Sequence, residues 1–174
     1  MYEIKARSFF GCLTLFLVLL SGSCAKQVTD KQSLNINQKD YVCVLPLENN
    51  TETPLAGRRV ASILEGVLIT KGYKVENRFL NLDSRDYTRK EIFQLMKRLR
   101  EKGVKYAFTG AVNEFRYKVG VDGEPAVSII LYLYELSKDR NRLIWSSTGS
   151  ASGWSYESLG TVTQKLINRL IKRE

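Results

Sequence analysis

Between Val104 and Ala151 the chain carries three strand-length segments separated only by short polar stretches, and no other feature constrains the fold as tightly. Val104 to Val119 is the first. Ala126 to Leu136 is the second, and it sets Val127, Ile129, Leu131 and Leu133 against Ser128, Ile130, Tyr132 and Tyr134. Arg142 to Ala151 is the third. Connections this short cannot hold a crossover, so the neighbours are expected to run antiparallel. Asp122-Gly123-Glu124 supplies a turn signal between the first two. One face of the middle strand is purely aliphatic and needs a helix on it. The other keeps Ile130, Tyr132 and Tyr134. A monomer does not normally leave such a stripe wet, so it is expected under the last helix or against a neighbouring subunit.

Upstream, Tyr41 to Leu47 is a continuous apolar run of the kind found in strands buried on both faces. Glu48 to Thr53 reads as a loop, and Thr53-Pro54 as an N-cap followed by Pro at the first helical position. Val60, Ile63, Leu64, Val67 and Leu68 recur at helical spacing, and Gly72 stops that helix. Tyr73 to Arg78 alternates as a short strand. Thr88 and Glu91 then form a capping box, with Tyr87 and Ile92 as a hydrophobic staple. Ile92, Leu95, Met96 and Leu99 give the second helix its apolar stripe. Lys97, Arg98, Arg100 and Lys102 occupy its other positions and suit a solvated face. A last helix is expected from near Ser155, burying Leu159, Val162, Leu166 and Leu170, with Lys172 and Arg173 at its end favoured by the helix dipole. The order is β-α-β-α-β-β-β-α. The fold class is α/β, a single mixed β-sheet with packed helices.

The N-terminus says where such a domain acts. Lys5 and Arg7 precede an apolar run from Phe9 to Leu20, and Leu20-Ser21-Gly22-Ser23-Cys24 closes it with small residues. That is the layout of a secretory signal. Twelve residues are too few to span a bilayer core, which takes ~20 in a helix. The small residues before Cys24 make the end look like a bacterial lipobox, with Ser21 where Leu is usual. An ordinary cleavable signal with an incidental Cys24 is the alternative. The expected organisation is a lipoprotein signal peptide over 1–23, a lipid-anchored flexible tether over 24–39 and one α/β domain over 40–174. As a random coil, fifteen tether residues reach roughly 20 Å. Ala25 after the cysteine favours the outer membrane. Losing Glu3, Lys5 and Arg7 with the signal lowers the formal charge from +9 to +8.

Catalysis has little to work with. The chain has no histidine, which removes the commonest general base, the usual zinc sites and every nucleophile–His pair. Gly149-Ser150-Ala151-Ser152-Gly153 has Ala where a nucleophile elbow has Ser. There is no P-loop and no dinucleotide fingerprint. Cys43 alone remains after Cys12 and Cys24 are set aside, so no internal disulfide forms within one mature subunit; a buried structural thiol is expected. The expectation is no enzyme, no cofactor and no metal. Nucleic-acid binding, which the basic charge invites, fails on compartment and on the lack of a stacking platform.

The segment from Gly110 through Glu114, Tyr117, Gly120 and Asp122-Gly123-Glu124-Pro125 to Val127 resembles the Pel exopolysaccharide-export outer-membrane lipoproteins, the PelC family. Residues 44–51 (VLPLENNT), Leu143-Ile144-Trp145-Ser146-Ser147 and Ser152-Gly153-Trp154-Ser155 agree with it, and the likeness covers about residues 41 to 171. Phe115 stands where the family is expected to have Trp. The first strand and the Ile-Trp-Ser strand are shared with a wider group of periplasmic α/β domains that includes the N-terminal domain of TolB and the curli-secretion lipoprotein.

The resemblance implies an outer-membrane lipoprotein whose copies, about a dozen, close into a ring on the periplasmic side. That ring sits under a β-barrel porin and guides a cationic exopolysaccharide without catalysing a reaction. It also implies that Asp122 lies at the pore and that Trp154 faces the membrane. Glu124 shares the turn with Asp122, and Tyr156 stands beside Trp154. In a lone subunit the turn is only a hairpin tip, and Trp154 could staple onto Leu159. Repeated around a ring, the carboxylates become a rim that concentrates a cationic polymer, and acid should weaken it because crowded carboxylates protonate more readily. The +8 charge does not suit such a conduit unless the basic residues lie away from the pore. A monomeric adaptor lipoprotein that docks or activates a periplasmic cell-wall enzyme is the competing reading.

Overall fold

In chain order the elements are β1 (Val28–Thr29), β2 (Tyr41–Val44), β3 (Glu48–Asn49), α1 (Ala56–Thr70), β4 (Lys74–Val75), α2 (Arg89–Glu101), β5 (Tyr106–Tyr117), β6 (Pro125–Leu136), β7 (Asn141–Ser152) and α3 (Leu159–Leu170). The computed structural model describes residues 28–29, 34, 36–37, 40–77, 80–120, 123–137 and 140–171. One mixed sheet runs β1-β7-β6-β5-β2-β4, with β3 pairing further along β5. β5, β6 and β7 form the expected antiparallel meander, and β2 lies parallel to both β5 and β4. The expected order holds, with β1 and β3 added to it.

Backbone hydrogen bonding explains the boundaries that moved furthest. β2 stops at Val44 rather than Leu47 because Pro46 has no N–H for the ladder. Pairing with β5 resumes at Glu48, where a loop had been expected. The strand expected over Tyr73 to Arg78 is only β4, because the Asn77 side-chain carbonyl takes the Val44 N–H at 3.0 Å in place of backbone. Thr53 does not cap α1. Its hydroxyl donates to the Phe115 carbonyl at 2.6 Å, and the N-cap is Leu55 with a φ of 60°. That left-handed backbone is strained for Leu, and the Asp86 carboxylate holds it by accepting the Leu55 N–H at 3.1 Å. α2 keeps its capping box as read, with the Thr88 N–H donating to Glu91 Oε2 at 2.9 Å and the Glu91 N–H to Thr88 Oγ1 at 3.4 Å. α3 starts at Leu159 rather than near Ser155. Ser158 caps it by accepting the Thr161 N–H at 3.1 Å.

Part of the stretch read as a flexible tether belongs to the fold. Val28–Thr29 pairs antiparallel with β7, and Leu34 and Ile36 are buried in the main core. Apolar side chains at 34 and 36 stabilise the body more by burial than they would in water. Cys24 and the signal segment lie outside the described residues.

Two layers cover the sheet unequally. α1 and α3 pack together over one face, where Val60, Leu64, Leu68, Leu166 and Ile167 meet Ile129, Leu131 and Leu133. α1 approaches so closely that a Cβ on Gly57 would sit 1.9 Å from the Leu47 carbonyl oxygen. α2 covers part of the other face, burying Ile92, Leu95, Met96 and Leu99 against Cys43, Leu45, Tyr134 and Leu136. The aromatic stripe of β6 therefore lies under the second helix, not the third: Phe93 meets Tyr134 edge-on at 5.9 Å. An extra residue in β5 between Val112 and Glu114 makes a bulge, which turns both Val112 and Phe115 toward the main core. Cys43 is buried and donates its thiol proton to the Glu76 carbonyl at 2.7 Å. Burial, with the Glu76 charge adding to it, pushes the thiol up to about 12, so it stays protonated and inert.

Candidate functional site

Of the site residues expected from the sequence, Glu124, Trp154 and Tyr156 come together at one end of the sheet. Gly123, at a φ of 53°, turns the chain between β5 and β6 in the left-handed region that glycine tolerates. The Lys118 N–H then donates to the Glu124 carbonyl at 2.7 Å and extends the hairpin past its last register pair. Lys118 Nζ lies 3.7 Å from the Glu124 carboxylate, and both side chains are nearly half exposed. Such a pair is worth little in water. Asp122 lies outside the described residues.

β7 ends beside this hairpin. Ser152 pairs with Ala126, and the Gly153 N–H donates to the Pro125 carbonyl at 2.9 Å. The connection into α3 is fixed from within. Glu157 Oε2 accepts the Trp154 N–H at 2.9 Å, and the Glu157 N–H donates back to the Trp154 carbonyl at 2.9 Å. The other carboxylate oxygen of Glu157 pairs with Lys165 on α3. Against this rigid backbone, Trp154 is 62% exposed and Tyr156 83%. Trp154 is therefore not folded onto Leu159 as part of the core. Two large rings held in water at one spot are the kind of feature that marks a contact surface.

Glu124, Trp154, Tyr156, Glu157, Lys165 and Arg169 line one cleft of about 340 Å³. The sequence separated Glu124 from Trp154 and Tyr156 by role; the structure brings all three together. It also adds Glu157, Lys165 and Arg169, which sequence reasoning missed. Part of their signal was present: 161, 165 and 169 recur at four-residue spacing and form one ridge of α3, whereas Glu157 lies in the turn just before its cap. A larger groove of about 680 Å³ opens near the same end, between residues 50–54 and β5, with Asn50, Glu52, Asn113 and Glu114 in its wall. Glu114 is paired with Arg116 at 3.0 Å. Carboxylates at this end thus alternate with bases. α2 carries five basic residues against two acids, so it holds much of the positive surplus.

No family model matches the chain, and no curated protein does. Solved structures do. The chain is similar to the PelC dodecamer from Paraburkholderia phytofirmans, with 29% identity and a TM-score of 0.67 over 84% of this chain and 96% of that one. A single-substitution variant of the same dodecamer, in another crystal form, gives 30% identity, the same TM-score and the same coverage. A lipoprotein from Neisseria meningitidis, 17% identical over 75% of this chain and 96% of its own, shares the fold at a TM-score of 0.55. At 30% identity over 84% of its own length and 96% of the PelC chain, this chain belongs to the PelC family.

Proposed function

We propose that the chain is an outer-membrane lipoprotein, anchored through an acylated Cys24, and that about a dozen copies form a periplasmic ring. The ring guides a cationic, Pel-like exopolysaccharide toward a β-barrel porin and catalyses no reaction. The observation that carries this reading is the likeness to PelC from Paraburkholderia phytofirmans, which crystallised as a dodecamer. Asp122 supplies the guiding carboxylate, and Glu124, two residues along the same turn, stands where the bore gives way to the cleft of Trp154 and Tyr156. Trp154 and Tyr156 face the membrane, where amphipathic rings gain from sitting at the boundary. A single hairpin carboxylate in water holds an ammonium weakly. A ring of them raises the local concentration of a polycation while each contact stays weak enough to release it. The basic excess on α2 is compatible with this so long as α2 faces away from the bore.

Light scattering on the protein purified in detergent should give the mass of a closed multi-copy ring; a monomer at high concentration would instead support the adaptor reading. In cells, Asp122→Ala should lower polymer export while membrane location and melting temperature stay the same, and unchanged secretion removes Asp122 from the mechanism. Trp154→Ala should loosen membrane association more than it lowers melting temperature.

A further inference from the structure

Lys165 and Arg169 stand one turn apart on α3 and, with Glu124, line the cleft that Trp154 and Tyr156 share. Arg169 donates Nε–H to the Lys165 carbonyl at 3.2 Å, and among the described residues no carboxylate pairs with its guanidinium. Lys165 is partnered by Glu157, whose other oxygen holds the Trp154 N–H. Four charges therefore line the cleft, two acidic and two basic. One acid, Glu124, and one base, Arg169, have the weakest prior engagements.

We infer that this cleft docks a zwitterionic phospholipid headgroup of the phosphoethanolamine class, its phosphate at Arg169 and Lys165 and its ammonium at Glu124. The inference rests on the membrane-facing reading of Trp154 and Tyr156 and adds to it a choice of lipid. A planar guanidinium matches phosphate through paired hydrogen bonds, and a carboxylate matches a primary ammonium. A purely anionic headgroup would leave Glu124 facing a negative charge. An amino sugar would leave Arg169 without a counter-ion. The volume of about 340 Å³ suits a small polar group, and the exposed rings would sit at the depth where headgroups lie.

The chain has two tryptophans. Trp145 is buried and meets the Phe108 ring edge-on at 6.2 Å, so changes in quenching report Trp154. The full-length protein, purified in detergent and moved into vesicles, is compared in phosphatidylcholine, in an equal mixture of phosphatidylcholine and phosphatidylethanolamine, and in phosphatidylcholine with phosphatidylglycerol. The first two carry no net charge, so the basic charge of the chain cannot discriminate between them. Acrylamide quenching should fall about threefold further with phosphatidylethanolamine than with phosphatidylcholine alone, as the ring moves into the headgroup layer. Arg169→Gln and Glu124→Gln should each remove that difference at unchanged melting temperature. Equal protection in the two neutral lipids, stronger protection by phosphatidylglycerol, or an unaltered response in Arg169→Gln would overturn the headgroup assignment while leaving the membrane-facing role intact. Quenching that no vesicle alters would overturn both. Protection by a glucosamine oligomer without lipid would overturn the lipid assignment and give the cleft to sugar.

Discussion

Along β6, alternate side chains meet two different surroundings. Val127, Ile129, Leu131 and Leu133 point to the face covered by α1 and α3, and none is exposed. Ser128, Ile130 and Tyr132 point to the face where α2 stands alone, and all three stay partly exposed. β7 repeats the contrast. Trp145, Ser147, Gly149 and Ala151 are buried, whereas Ser146, Thr148, Ser150 and Ser152 form an exposed row of small hydroxyl side chains. One face is a closed core and carries most of the apolar burial that stabilises the fold. The other is half covered, and its bare part is lined by small exposed hydroxyl side chains, of which Thr148 donates to the Ile129 carbonyl at 3.3 Å. Stability concentrated in one layer leaves the second layer free for contacts without endangering the fold.

That contrast can be broken deliberately. Leu131→Ala should destabilise by about 3 kcal/mol, since the cavity opens between α1, α3 and the sheet; a urea-unfolding loss below a third of that would mean the closed face is loosely packed. Phe93→Ala, on the α2 side, removes an edge-on contact to Tyr134 and should cost about 1 kcal/mol by the same measurement. Glu91 sharpens the comparison through pH. Its hydrogen bond to Arg85, with those to Thr88, holds its carboxyl down at about 2. A folded pKa below the unfolded value of roughly 4.3 contributes stability that is complete above that value and fades as pH falls toward 2. Unfolding of Glu91→Gln across that window should therefore converge with wild type in acid, and a constant gap would sink the idea. Ser150→Ala should move the melting midpoint least, within about 0.5 kcal/mol.

What the sequence showed and hid follows from the range of each interaction. α2 was legible because Tyr87, Thr88, Glu91 and Ile92 lie within one six-residue stretch and specify one another. The meander was legible because short turns allow only antiparallel neighbours. The start of α1 was misread because the Thr53 hydroxyl bonds to Phe115, 62 residues away, and no local pattern carries that. β3 escaped because Glu48 and Asn49 pair with Ala111 and Val112 across a parallel ladder. The cleft escaped as a unit for the same reason. Its walls come from the β5–β6 hairpin, the end of β7 and the exposed ridge of α3, and only the fold puts Glu124 beside Tyr156.

The register of β1 has a mechanical consequence. Val28 lies opposite Gly149 and Thr29 opposite Thr148, so β1 closes the β7 edge of the sheet with two antiparallel pairs. Downstream of the same short strand, Leu34 and Ile36 are sunk in the main core, so this segment is held by backbone pairing at one end and by apolar burial at the other. A pull applied at Val28 would therefore load two backbone pairings at the sheet's rim before it reached the interior.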